Sequence, residues 1–173
     1  KGQKIKIEKI NFHGFTEDIK ESKLAAAMKK TKDKRLANFF RSKKLNEKEY
    51  KNDKAALLEV FNEAGFRDAV VVGDSISYTP ENRMVLDIYF DQGKRYYFRD
   101  ITWTGNSVYT TDQLNSILMI KKGDIYDVVT MDKRLQGDPK QQHMDVRKMY
   151  TDNGYLFFNI TPVELAIDGD SVD

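Results

Sequence analysis

The chain contains no cysteine, which removes disulfides, thiolate metal sites and cysteine nucleophiles together. That absence does not fix a compartment, because oxidising surroundings tolerate cysteine-free proteins. Histidine is scarce: only His13 and His143 occur among 173 residues, and they fall in unmatched parts of the sequence. A metal centre or catalytic pair needs convergent ligands, so none is expected. No stretch approaches the roughly 20 apolar residues that span a bilayer as a helix, and no apolar region follows the basic start. The sequence as given therefore reads as soluble, as a piece of something anchored elsewhere. There is no phosphate loop, nucleophile elbow or dinucleotide fingerprint. Carboxylates are plentiful, but they sit in turn or helix-face patterns such as Glu47-x-Glu49 and Asp168-x-Asp170, which do not favour paired acid–base chemistry. The reading is a non-enzymatic chain with no catalytic residue, no metal and no cofactor.

What is present is enough for a folded core. Apolar residues make up 40% of the chain and charged residues 32%, a globular composition. The length suits one medium domain or two small ones. The net charge of +2 is unevenly spread. Residues 29–54 hold eleven Lys or Arg against four acids, so this segment carries +7 and the remainder −5. Its basic surface is Lys29, Lys30, Lys32, Lys34, Arg35, Arg41, Lys43 and Lys44. Such a run is either a solvated helical face and loop or a surface that meets an anionic partner, such as lipid head groups or an acidic protein.

The sequence repeats itself. Ile7-Glu8-Lys9-Ile10-Asn11-Phe12-His13-Gly14 and Phe98-Arg99-Asp100-Ile101-Thr102-Trp103-Thr104-Gly105 share one pattern, with glycines 91 residues apart. Phe61-Asn62-Glu63-Ala64-Gly65-Phe66 matches Tyr150-Thr151-Asp152-Asn153-Gly154-Tyr155, with glycines 89 apart. Between these landmarks, Leu24, Ala27 and Met28 align with Leu114, Ile117 and Leu118. Two copies of one unit are expected, over residues 1–93 and 94–173, with Tyr96, Tyr97 and Phe98 packing at the junction between them.

Each unit opens with an alternating strand that a glycine terminates, Gly14 in the first copy. A helix follows; in the second copy Thr110 and Gln113 form a capping-box pattern before Leu114, Ile117 and Leu118. A second helix is written in Tyr50, Lys54, Leu57, Leu58, Phe61 and Ala64, closed by Gly65. The second copy carries ten extra residues here, including Gly137-Asp138-Pro139, which break the helix in two. Residues 69–78 and 84–90, joined by a turn at Thr79-Pro80-Glu81-Asn82, form a hairpin. The order is βααββ. In the second copy, Leu156-Phe157-Phe158-Asn159-Ile160 and residues 163–167 read as the first hairpin strand, and Asp168-Gly169-Asp170-Ser171 as its turn. The sequence then stops, so the last strand is expected to be missing and the piece to be a cut fragment. That would leave a gap between two strands for a neighbouring chain to fill. Phe12, Phe61 and Trp103 are expected in the core.

The Ile-x-x-Ile-x-Phe/Trp-x-Gly opening and the Tyr/Phe-x-x-x-Gly-Phe/Tyr before an aromatic-aliphatic strand resemble POTRA domains, the polypeptide-transport-associated repeats. Gly65-Phe66-Arg67-Asp68-Ala69, Tyr96-Tyr97-Phe98 and Gly154-Tyr155-Leu156-Phe157-Phe158 are similar in particular to BamA-type outer-membrane protein assembly factors of Bacteroidetes-like bacteria. The first copy departs in having Gly14-Phe15 where Gly-Asn is usual, and residues 31–48 form a long basic connection. The resemblance implies an α+β fold of two tandem βααββ units, each a three-stranded mixed sheet covered by two helices. It also implies a periplasmic location, a membrane β-barrel anchor outside this piece, and unfolded outer-membrane proteins and accessory lipoproteins as partners.

Three-stranded sheets expose edges ready to pair with another extended chain. The expected receptive edge is the β-branched run and its continuation, Val70, Val71, Val72, Gly73, Asp74, Ser75, Ile76, Ser77 and Tyr78, with Gly73 marking a bulge. The same strand could equally be a protected edge. Two rivals remain. A KH-like nucleic-acid module shares βααβ order, but residues 29–48 lack the Gly-x-x-Gly loop it needs, so no nucleic acid is expected. A structural spacer would show no peptide affinity.

Overall fold

The computed structural model describes residues 7–29 and 47–173. By backbone contacts these fall into two compact units. The first comprises the residues up to Gly93 except Gly65–Arg67, and the second those three residues together with Lys94–Asp173. Lys30, Lys32, Lys34, Arg35, Arg41, Lys43 and Lys44, together with the side chain of Lys29, lie outside the described residues.

The first unit runs β1 (Ile7–His13), α1 (Glu21–Lys29), α2 (Glu47–Glu63), β2 (Val70–Tyr78) and β3 (Met84–Asp91). Its sheet has the order β1-β3-β2, with β3 parallel to β1 and antiparallel to β2. The central place of β3 follows from its alternation: Met84, Leu86, Ile88 and Phe90 are all buried. They meet Leu24 and Met28 of α1, and Leu57 and Phe61 of α2, in one apolar layer between helices and sheet. Aromatic rings fill its far end, with Phe61 and Phe90 at a centroid distance of 4.7 Å and Phe15 edge-on to both. Burying such side chains contributes about 1.5–3 kcal/mol each.

Gly14 closes β1 for a reason of space. Its φ is +90°, and a Cβ there would stand 1.9 Å from the carbonyl oxygen of Phe90. The hairpin turn forms where the sequence places it: Asn82 donates its backbone N–H to Thr79 at 2.9 Å and adopts φ +58°.

The second unit contains β4 (Tyr97–Phe98), α3 (Thr111–Leu118), α4 (Val128–Gln136), α5 (Val146–Thr151), β5 (Ile167–Asp168) and β6 (Ser171–Val172). The Thr110 capping box forms, with the Thr110 N–H donating to Gln113 Oε1 at 2.9 Å and the Gln113 N–H to Thr110 Oγ1 at 3.3 Å. Such caps contribute about 1 kcal/mol. The extra ten residues do split the helix: α4 stops at Gly137, whose φ is +95°, and α5 starts afresh on the Asp145 cap.

Two expectations need correction here. The last strand of this unit is present in short form, because Ser171–Val172 pairs parallel with β4 and antiparallel with β5, giving the order β4-β6-β5. It therefore stands between its two neighbours and narrows the expected gap. The strand expected over residues 156–167 is reduced to Ile167–Asp168. A strand exists by pairing, and the partner ladder extends only over β6 and the two backbone bonds linking Leu165 and Ala166 to Asp173. Without a ladder, apolar composition alone does not make residues 156–164 a strand.

Candidate strand-addition edge

The β2 strand forms one border of the first sheet. It pairs with β3 from Val70 to Tyr78, and among the described residues no strand stands on its other side. The ladder slips between Val71 and Gly73, so Val72 is the extra residue of a bulge. The bulge forms where Gly73 faces Tyr89, and a Cβ at Gly73 would meet nothing within 4 Å.

Register decides which side chains of β2 face the helices. Ile76 stands opposite Leu86, and Tyr78 opposite Met84, both buried residues of β3. Ile76 and Tyr78 therefore project on the core side. Yet Tyr78 is 53% exposed and Ile76 only half-buried. The core-facing side of β2 is therefore less covered than that of β3. Val70 and the bulged Val72 are also exposed, Val72 by 61%. The arrangement is a nine-residue strand border with a half-covered apolar flank.

The three aromatic residues Tyr96, Tyr97 and Phe98 separate by alternation. Tyr96 and Phe98 are buried with Tyr126 and Val172 in a core cluster of the second unit, and Tyr97 is half-buried. Phe12 and Phe61 are buried as expected, whereas Trp103 is half-exposed and donates its indole N–H to Asn115 at 2.7 Å.

Sequence reasoning passed over three polar clusters. His13 and Asp87 meet across the β1–β3 pair at 2.7 Å, with the His13 ring stacked on Tyr89. The His13 hydrogen bond holds the Asp87 carboxyl below its ordinary value against the opposing effect of desolvation, with further help from Asn11. In the second unit, Arg67 grips Glu164 through Nε at 2.7 Å, and the Tyr126 hydroxyl donates to the same carboxylate at 2.6 Å. Arg67 lowers the Glu164 pKa, and burial, then Glu164 itself, pushes the Tyr126 phenol up. Arg99 binds the Asp173 carboxylate and lowers its pKa in turn. The strand spacing of His13 and Asp87 gave no sequence signal, because parallel register between distant segments is not readable in advance.

The apolar residues expected to form the first hairpin strand of the second unit are largely exposed. Leu156, Val163, Leu165 and Ile167 are exposed, and Phe157 is fully so at 101%. Among the described residues no group of three or more His, Asp or Glu could hold a metal ion, and no helix is long and apolar enough to cross a membrane.

The family model described as POTRA, surface antigen variable number repeat, matches residues 5–93 and again residues 96–173. A protein of Treponema pallidum (strain Nichols), described as a candidate outer membrane protein assembly factor, is 26% identical over 162 residues, covering 89% of this chain and 17% of that protein. The outer membrane protein assembly factor BamA of Neisseria meningitidis serogroup B is 26% identical over 102 residues, covering 58% of this chain and 13% of that one. The chain thus spans less than a fifth of the length of these relatives. Among solved structures, POTRA domains 3–5 of Haemophilus influenzae BamA superpose with a TM-score of 0.55 at 15% identity, over 99% of this chain and 60% of that one. Haemophilus ducreyi BamA lacking POTRA domains 1–3 gives 0.56 at 16% identity, over 97% of this chain and 28% of that one.

Proposed function

The chain belongs to the POTRA family, and from that premise we propose that it is a pair of periplasmic protein-binding repeats of an outer-membrane β-barrel assembly factor. In this reading a β-barrel outside the described residues anchors the whole protein. The repeats receive unfolded barrel proteins and dock accessory lipoproteins, and neither repeat catalyses a reaction. The two relatives support the assembly-factor reading by their descriptions.

The observation that carries the binding part is the β2 border. An open strand border offers main-chain donors and acceptors to any extended chain, so affinity does not depend on a fixed sequence. Strands of membrane barrels alternate apolar and polar residues. Added beside β2, such a strand would lay its apolar side chains next to Ile76 and Tyr78, extending the half-covered flank and removing more apolar surface from water. Val72, at the bulge, is where the added strand would have to stop or twist. The basic segment, Lys29 to Lys44, is proposed as a contact for anionic lipid head groups or acidic partners.

Titration of the isotope-labelled chain with synthetic barrel-strand peptides tests this. Backbone shifts confined to residues 70–78 support strand addition. A spacer role predicts no shifts, and an RNA-binding role predicts salt-dependent RNA affinity instead.

A further inference from the structure

We infer that Asp74 is the specificity-determining residue of the β2 border, which takes up extended chains that carry a lysine or arginine opposite it. This deepens the strand-addition reading given above and rests on it.

Residues that stand opposite each other in a ladder share one face of the sheet. On the core face β3 presents Met84, Leu86, Ile88 and Phe90, each 4% exposed or less. The β2 residues opposite them are Tyr78, Ile76, Asp74 and Val71. A carboxylate thus stands in a row that is otherwise apolar. The bulge puts it there. Counted from Val71 by simple alternation, Asp74 would face outward, and the extra residue Val72 turns it to the core face. Asp74 remains exposed at the border of the sheet.

An added strand would end that exposure. Its residue directly opposite Asp74 would lie on the core face, beside the carboxylate. An apolar residue there would take the carboxylate out of water without pairing it, which is costly. A glutamate or aspartate would repel it. A lysine or arginine would lay its methylene stem along the apolar row and set its cation against the carboxylate. The next core-face places lie beside Ile76 and Tyr78 and take apolar residues. The favoured strand therefore reads cation-x-apolar-x-apolar, followed in the direction of β2. On the outer face Gly73, Ser75 and Ser77 are small and set no such condition.

The charge of the hairpin agrees. From Val70 to Asp91 it holds four acids, Asp74, Glu81, Asp87 and Asp91, against a single arginine, Arg83. An inward-pointing charge also discourages unselective pairing of a strand border. The same residue therefore protects this border against wholly apolar strands and admits basic ones.

The test uses peptides that alternate threonine with valine and carry lysine, methionine or glutamate at one central valine place. Each is titrated at low salt against the isotope-labelled chain and against its Asp74→Asn and Asp74→Lys variants. The unaltered chain is expected to bind the lysine peptide about threefold more tightly than the methionine peptide, and the glutamate peptide most weakly. Asp74→Asn should bring the peptides together, and Asp74→Lys should put the glutamate peptide first. High salt should shrink each preference. Equal binding of the peptides by the unaltered chain, or an order that Asp74→Lys leaves as it was, overturns the role of Asp74 while strand addition stands. Absence of shifts along residues 70–78 with every peptide overturns strand addition and this inference with it.

Discussion

The carbonyl oxygen of Phe90 occupies the place a Cβ on Gly14 would need, 1.9 Å away, while the Gly14 backbone holds a φ of +90°. A side chain here meets two penalties at once, a left-handed backbone and a backbone obstacle that cannot rotate aside. Gly14→Ala is expected to destabilise the first unit by roughly 3 kcal/mol or more. Gly105→Ala, at φ +76° with open space around it, should cost only the backbone strain, about 1–2 kcal/mol. Urea unfolding of the two variants, followed by circular dichroism, checks the difference.

The edge and the core should respond oppositely to substitution. Phe61 is fully buried and packs 4.7 Å from Phe90, so Phe61→Ala should cost about 3–5 kcal/mol. Val72 sits on the bulge and is mostly exposed. Val72→Lys should change stability by no more than about 0.5 kcal/mol. It should nevertheless weaken peptide binding, because a lysine on an open strand border obstructs pairing. Thermal unfolding and a peptide titration of the same variant separate the two effects.

Acid should weaken both units through identifiable pairs. Asp87, Glu164 and Asp173 each have a folded pKa below the ordinary values of 3.8, 4.5 and 3.8, owing first to His13, Arg67 and Arg99 respectively. A depressed carboxylate pKa gives stability that is present above the unfolded value and is lost as the pH falls through the folded one. The contribution should be complete above about pH 5 and fade below about pH 4. Arg67→Met and Arg99→Met should flatten the fall of the urea midpoint between those limits and below, since the partner carboxylates then titrate normally.

Alkali should act on Tyr126. Burial, and then the Glu164 carboxylate, raise its phenol pKa above the ordinary 10.0. A raised pKa gives stability that is present below the unfolded value and is lost as pH rises towards the folded one. The second unit should therefore loosen above about pH 10. Tyr126→Phe should remove that alkaline decline while costing the 2.6 Å hydrogen bond to Glu164, which a pH series of tyrosine absorbance and Tm would record.

The parts of the fold that local chemistry writes were readable in the sequence. The alternation of Met84, Leu86, Ile88 and Phe90 announces a strand with one buried face, and Gly14 announces the end of the first unit's opening strand, whereas in the second unit the expected strand through Ile101 and Trp103 stops at Phe98, well short of Gly105. The Thr110–Gln113 box and the break at Gly137 are equally local. What failed to read depends on distant partners. Leu156-Phe157-Phe158 has strand composition, but strand propensity is realised only against a neighbouring ladder, and residues 156–164 lack one. The His13–Asp87 and Arg67–Glu164 pairs join residues 74 and 97 positions apart, so spacing along the chain could not disclose them. The candidate edge was legible as an apolar β-branched run. Its half-covered flank was not, because the burial of a strand's face depends on tertiary packing against distant segments.

Backbone NMR of the labelled chain, titrated with a barrel-strand peptide of alternating apolar and polar residues, tests the central claim most directly. The account predicts saturable shifts and slowed amide exchange concentrated on Val70–Tyr78, with Ile76 and Tyr78 side-chain signals moving together, and loss of the effect in Val72→Lys. Unchanged shifts and exchange along that strand at millimolar peptide would contradict it.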